Sequence, residues 1–229
     1  MFAAALAAAP GCSGPPRPDL ERLYAQQANP GGQPPVVLIH GLLGGRLAER
    51  GGEREVWPGT VARLMFSDYR DLALPIDPET LTPADSGLEV TGLTDRAAGR
   101  DFYGAILDVL EVAGGYGRAV PGRAAGSGEK RVYVFAYDWR QDNVRTAAKL
   151  DAFLARIRED YGDPDLRVDV IAHSMGGMLA RYYLRYGTAD VLDDNDFPVT
   201  QAGAAGIRRV ILLGTPSLGS VSAVIGLLE

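Results

Sequence analysis

A chain of 229 residues can enclose one sizeable core, and its 46% hydrophobic and 23% charged residues are those of an ordinary globular protein. The formal net charge of −6 speaks against a nucleic-acid partner, which selects basic faces. A single cysteine, Cys12, rules out an internal disulfide or thiolate cluster, two histidines (His40 and His173) are too few for a usual zinc site, and no apolar run is long enough to span a bilayer.

The chain opens with "MFAAALAAAPGCSGPP", an Ala-rich run followed by small residues and the lone Cys12. Residues 1–18 resemble the end of a bacterial lipoprotein signal, in which that cysteine carries the lipid. They lack a basic n-region, and Ala9 stands where such signals usually have Leu. The expectation is an exported, periplasmic or cell-surface lipoprotein. The alternative is an Ala/Pro-rich leader with an incidental cysteine.

"DLERLYAQQ" (19–27) reads as a short helix. "VVLI" (36–39), bounded by Pro and Gly, reads as a strand buried on both faces. Residues 46–130 are irregular, with one helix expected in them. It has Thr94 as N-cap, Phe102, Ile106, Val109, Leu110 and Ala113 along one side, and Gly114-Gly115 as its stop. A second strand is expected over 131–139, then an amphipathic helix over 143–161 with Val144, Ala147, Leu150, Leu154, Ile157 and Tyr161 facing inward. "GDP" (162–164) breaks that helix. Residues 167–172 form a third strand, 175–186 a helix ended by Gly187, and 208–214 a fourth strand. Strands alternating with helices predict an α/β fold, with a mostly parallel sheet and helices on both faces. The strand at 208–214 is expected to be an exposed edge.

Ser174 lies at the junction of the third strand and its helix, in "VDVIAHSMGGMLARYYL". A strand that runs straight into a helix through a serine is a nucleophile elbow. Its sharp turn admits only small residues two positions either side, here Ala172 and Gly176, so the pattern is A-x-S-x-G. The competing reading is a serine that merely caps a helix. Acyl transfer also needs fixed donors for an oxyanion. One candidate is the amide of Met175. The other is the amide of Leu42 in "IHGLLGG" (39–45), where Gly41 lets the backbone turn.

"PVVLIHGLLGGRL", "YDWR" (137–140), "AHSMGG" and "LLGTPSLGS", in that order, resemble the α/β-hydrolase superfamily and most of all its lecithin:cholesterol acyltransferase-like lipases and acyltransferases. The resemblance spans roughly residues 34–225. It implies an α/β-hydrolase core over 19–229 with an irregular insertion at 46–130, Ser174 as nucleophile, and Leu42 and Met175 lining the oxyanion hole. It also implies a lipid or other ester as substrate, a membrane-surface association, and no metal or cofactor.

Neither histidine suits the role of general base. His173 precedes the nucleophile and should orient the turn, while His40 should bond within the oxyanion loop. The hydrolase order of serine, acid, histidine puts both partners after residue 229, with the last strands and the cap. The acidic run "DVLDDND" (190–196) reads as a solvated loop. Asp138, Trp139 and Arg140 either shape the pocket floor or hold their own loop as an ion pair and a buried ring. Trp57 is either a core side chain or part of a lipid-facing insertion, and Thr215 is expected to cap its turn. The expected activity is ester hydrolysis or acyl transfer through an acyl-enzyme. The rival is a non-catalytic, truncated or decayed hydrolase, or a lipid-binding module. Dehalogenases and epoxide hydrolases carry Asp at the elbow and are disfavoured, whereas a serine peptidase uses the same machinery.

Overall fold

The computed structural model describes residues 18–20, 22, 23, 32–80, 82–191, 197–221 and 225. The leader with Cys12, most of the 19–27 stretch and most of the acidic run at 190–196 lie outside the described residues.

The chain begins its fold with β1 (Val36–Ile39), β2 (Gly45–Glu49), β3 (Glu55–Trp57) and the short helix α1 (Val61–Phe66). It continues through β4 (Leu88–Leu93), β5 (Arg96–Ala97), β6 (Arg100–Asp101), α2 (Gly104–Asp108) and β7 (Gly117–Ala119). The second half is regular: β8 (Arg131–Phe135), α3 (Asn143–Tyr161), β9 (Val168–His173), α4 (Met175–Tyr186) and β10 (Ile207–Leu213).

Five strands make a fully parallel sheet in the order β10-β9-β1-β8-β7. β1 is central, paired on both sides, and all four of its residues are buried, which is why it reads as an unbroken apolar run. Val37 and Ile39 face one way, with Tyr133, Phe135, Val170 and Ala172, onto α3 and α4. Val36 and Leu38 face the other way, with Val132, onto Tyr103, Leu107 and Leu110. Helices therefore cover both faces, as an α/β-hydrolase-type fold requires.

α3 begins where the Asp142 side chain accepts from the Val144 amide at 2.8 Å, and it ends at Gly162, whose φ of 61° only glycine adopts easily. Leu150, Leu154 and Ile157 from this helix are fully buried, worth about 1.5–3 kcal/mol each in transfer from water. At the other end of the sheet, β10 is the edge strand, and Ile211 and Leu212 are exposed on it.

Three expectations are corrected. The helix at Thr94 starts ten residues later, at Gly104, and continues through a π-turn over Val109–Ala113. Ala98 and Gly99 take left-handed backbone angles that close the β5–β6 hairpin first, and the Asp101 carboxylate then accepts from the Ala105 amide. The buried side is consequently Tyr103, Leu107 and Leu110, while Phe102 is exposed. The 46–130 segment is not irregular throughout, because β3, β2 and β4 form an antiparallel sheet in that order. Register shifts at Arg46/Leu47 and Leu47/Ala48 break the alternation that would have revealed it. The second strand ends at Phe135, so Tyr137, Asp138 and Trp139 belong to the loop beyond it.

Truncating Leu154 to Ala should lower the unfolding free energy by about 2–5 kcal/mol. Val112→Ala, at a 73%-exposed position, should change it by less than about 0.5 kcal/mol. Urea titrations with an unchanged m-value test both.

Candidate active site

Ser174 stands at the carboxyl end of β9 with φ 53° and ψ −122°, a strained conformation that costs on the order of 1–3 kcal/mol for a residue with a side chain. The strain is held by the surroundings. The Ser174 amide donates to the Leu213 carbonyl of β10 at 2.8 Å, and its carbonyl accepts from the Gly177 amide at 3.0 Å. Its hydroxyl makes no capping bond to α4. The expected small neighbours are needed: Ala172 is fully buried, and a Cβ on Gly176 would overlap the carbonyl of His40. Met175 opens α4, so its amide has no carbonyl one turn earlier to bond.

The loop after β1 presses on this elbow. A Cβ on Gly41 would lie 2.7 Å from the Ser174 Cβ and 3.0 Å from the His173 carbonyl, so only glycine permits the approach. Two successive peptide planes in the loop are pinned. In the first, the His40 carbonyl accepts from the Tyr137 hydroxyl at 2.9 Å and the Gly41 amide donates to the Tyr103 hydroxyl at 2.8 Å. In the second, the Gly41 carbonyl accepts from His40 Nδ1 at 2.8 Å and from the Gly44 amide at 3.1 Å. Carbonyl and amide point in opposite directions across a trans peptide, so this anchorage also fixes the direction of the Leu42 N–H.

Further along, the Leu43 carbonyl accepts from Trp57 Nε1 at 2.7 Å, the Gly44 carbonyl from the Thr94 amide at 2.8 Å, and the Gly45 carbonyl from Trp139 Nε1 at 3.0 Å. Leu42 is exposed, and its amide has no hydrogen-bond partner among the described residues.

Leu42, Ser174 and Met175 line one cleft of about 610 Å³, together with Met178, Tyr182 and Pro216. A larger hollow, about 820 Å³, lies near the β7 edge against Val90, Arg118 and Val134, and holds none of these three.

His40 is fully buried and stacked on Tyr137, with ring centroids 4.2 Å apart. Its Nδ1 faces a carbonyl and must carry the proton, while its Nε2 accepts from the Tyr137 amide at 3.1 Å. Burial pushes its pKa down to about 4, against the raising effect of the bond to the Gly41 carbonyl. His40 is thus a neutral strut, with both ring nitrogens engaged inside the loop. His173 is half-buried, and its Nδ1 meets the Tyr103 hydroxyl at 2.9 Å.

Asp138 and Arg140 form a bidentate pair at 2.9 and 2.7 Å, with side chains 12% and 5% exposed. Burial would raise the Asp138 carboxyl, but hydrogen bonds from Arg140 outweigh that and hold it below the usual range. Arg140 also donates to the Leu72 carbonyl and the Ser86 hydroxyl, at 3.1 and 2.9 Å. None of Asp138, Trp139 and Arg140 lines the Ser174 cleft; together they fasten the 46–130 segment and the loop after β1. Trp57 packs edge-on to Trp139 and Tyr69. Thr215 departs from expectation: its hydroxyl caps nothing and is buried without a partner among the described residues, against Gly177 of α4. Among the described residues, no group of three His, Cys, Asp or Glu side chains could hold a metal ion, and no helix is long and apolar enough to cross a membrane.

Residues 123–229, which carry the elbow and the "GTP" turn, match the family model of lecithin:cholesterol acyltransferase. That match supports a likeness to the lecithin:cholesterol acyltransferase-like group of lipases and acyltransferases. Lecithin-cholesterol acyltransferase-like 4 of Arabidopsis thaliana is 26% identical over 175 residues, covering 66% of this chain and 30% of that protein. The chain therefore spans under a third of the length of that curated relative.

Sequence reading missed Tyr103 and Tyr137. Both bond the loop after β1 across 62 and 97 residues, and no local pattern announces such contacts.

The depressed His40 pKa gives a pH dependence with a definite sign. Between pH 6.5 and about 4 the unfolded chain binds a proton that the folded chain refuses, so folded stability falls as the pH drops through that window. The contribution is of the order of 3 kcal/mol. Unfolding free energies measured from pH 7 to pH 4 should show this slope in the native chain, and a shallower one in His40→Gln.

Proposed function

We propose that Ser174 is the nucleophile of a lipid-ester hydrolase or acyltransferase. Its hydroxyl attacks the ester carbonyl carbon and the alkoxide leaves with a proton. Water or a second alcohol then releases the acyl group from the serine. The observation that carries this reading is the Ser174 backbone at φ 53° and ψ −122°, with the hydroxyl left out of any cap and facing a cleft shared with Leu42 and Met175. Strain of this kind at a strand-to-helix turn supports a nucleophile elbow better than a structural serine, which would gain nothing from it. Under this reading the Leu42 and Met175 amides receive the oxyanion, each worth on the order of 3 kcal/mol of barrier.

The proton acceptor is neither described histidine, since the bonds of His40 are spent within its loop and His173 Nδ1 is spent on Tyr103. We place the base and its carboxylate in sequence after residue 229, following the hydrolase order. The substrate is a lipid ester, taken up at a membrane surface by a protein exported through its Cys12 leader. Hydrolysis and acyl transfer share the residues described and differ in which acceptor reaches the acyl-enzyme.

In the full-length gene product, a fluorophosphonate probe should label Ser174, and Ser174→Ala should abolish both labelling and p-nitrophenyl ester turnover while leaving the melting temperature within a few degrees. Labelling at another residue would refute the assignment. A polypeptide of residues 1–229 should turn esters over at least about 10⁴-fold more slowly than the full-length product, the usual cost of a missing triad partner. Brisk turnover that Ser174→Ala removes would place the base within these residues.

A further inference from the structure

We infer that Tyr103 is the positioning residue that holds the oxyanion loop and the nucleophile elbow in register through one phenolic oxygen. The inference rests on the reading of Ser174 above. Tyr103 belongs to neither strand loop of the site. It precedes α2, within the 46–130 segment, and the residue is 4% exposed, its ring edge-on to His173 with centroids 5.5 Å apart.

Its hydroxyl has two partners. It accepts from the Gly41 amide at 2.8 Å and meets His173 Nδ1 at 2.9 Å. A phenol can accept and donate at once, so the arrangement that satisfies every group has the Tyr103 proton donated to His173 Nδ1. Gly41 lies one residue before Leu42 and His173 one residue before Ser174. The oxygen thus ties the residue ahead of one oxyanion donor to the residue ahead of the nucleophile.

Other bonds hold the same loop, since the His40 carbonyl accepts from Tyr137 and the Gly41 carbonyl from His40 Nδ1 and the Gly44 amide, but none of them reaches the elbow. The Gly41 N–H is buried in the loop, and losing its acceptor leaves an unpaired donor beside the elbow. Glycine also has the widest backbone freedom, so without Tyr103 the His40–Gly41 plane is held on its carbonyl side alone, by Tyr137. That slack shifts the Leu42 N–H relative to Ser174, because the bonds at the Gly41 carbonyl tie the next plane to the loop itself and not to the elbow. Substrate binding needs no oxyanion donor, but the tetrahedral intermediate does, so the loss should fall on the chemical step.

The test uses the full-length gene product with a short p-nitrophenyl ester and a trifluoromethyl ketone, which adds to the serine and presents an oxyanion. Tyr103→Phe keeps the ring and removes only the hydroxyl. Expected are a kcat lowered about 10- to 100-fold, a KM within about twofold, and a ketone inhibition constant raised in proportion to the loss in kcat. A merely structural tyrosine would lower the melting temperature without separating kcat from KM or weakening the ketone selectively. A kcat within twofold of the parent, alongside an inactive Ser174→Ala, overturns the role of Tyr103 and leaves the serine reading intact. If Ser174→Ala retains turnover, the serine reading fails and this inference falls with it. Should the Tyr103→Phe chain not fold, His173→Phe carries the test: the same kcat-selective loss supports the bridge, and its absence overturns it.

Discussion

The site depends on how closely two strand ends can approach. β1 and β9 are neighbours in the sheet, so the loops leaving them must share one small volume at its carboxyl edge. Gly41 lets the first loop touch the Ser174 Cβ, and Gly176 lets the helix after the serine pass under the carbonyl of His40. A methyl group at either position would push the loops apart. On the proposed reading, the chemistry of the site follows from that contact, because an oxyanion donor is useful only within hydrogen-bond reach of the attacked carbonyl.

Around the contact the protein spends its hydrogen bonds on one short loop. The carbonyls of His40, Gly41, Leu43, Gly44 and Gly45 each accept from a named group, and the Gly41 amide donates to Tyr103. Among these neighbours the Leu42 amide is left without a hydrogen-bond partner among the described residues. His40 illustrates the cost. A fully buried imidazole is kept neutral, with both nitrogens engaged, solely to hold backbone in place. The Asp138–Arg140 pair works in the same way one layer out, fastening the loops at Leu72 and Ser86 to the end of β8.

Much of this was legible in the sequence where a local pattern carries the information. The parallel strands are short apolar runs, α3 repeats its apolar residues with helical period and closes on Gly162, and the elbow announces itself by small residues on either side of Ser174. The antiparallel sheet of β2, β3 and β4 was hidden because its strands are short and bulged, so neither face alternates cleanly. β7 has three residues and no apolar run. The α2 helix was placed too early because apolar spacing alone cannot see the left-handed turn at Ala98 and Gly99. Tyr103 and Tyr137 were invisible for a different reason: their importance lies in partners far along the chain.

The two tryptophans have a consequence for how the molecule is made. Trp57 and Thr94 hold the loop after β1 from within the 46–130 segment, and Trp139 holds it from beyond β8, 94 residues away from Gly45. Closing such distances demands chain entropy, so these restraints assemble only after the sheet and the segment have docked. The elbow depends on the same docking, since the Ser174 amide bonds the Leu213 carbonyl of β10 and Gly176 passes under the carbonyl of His40. On the proposed reading of Ser174, competence as a catalyst would therefore arrive in the final stage of folding.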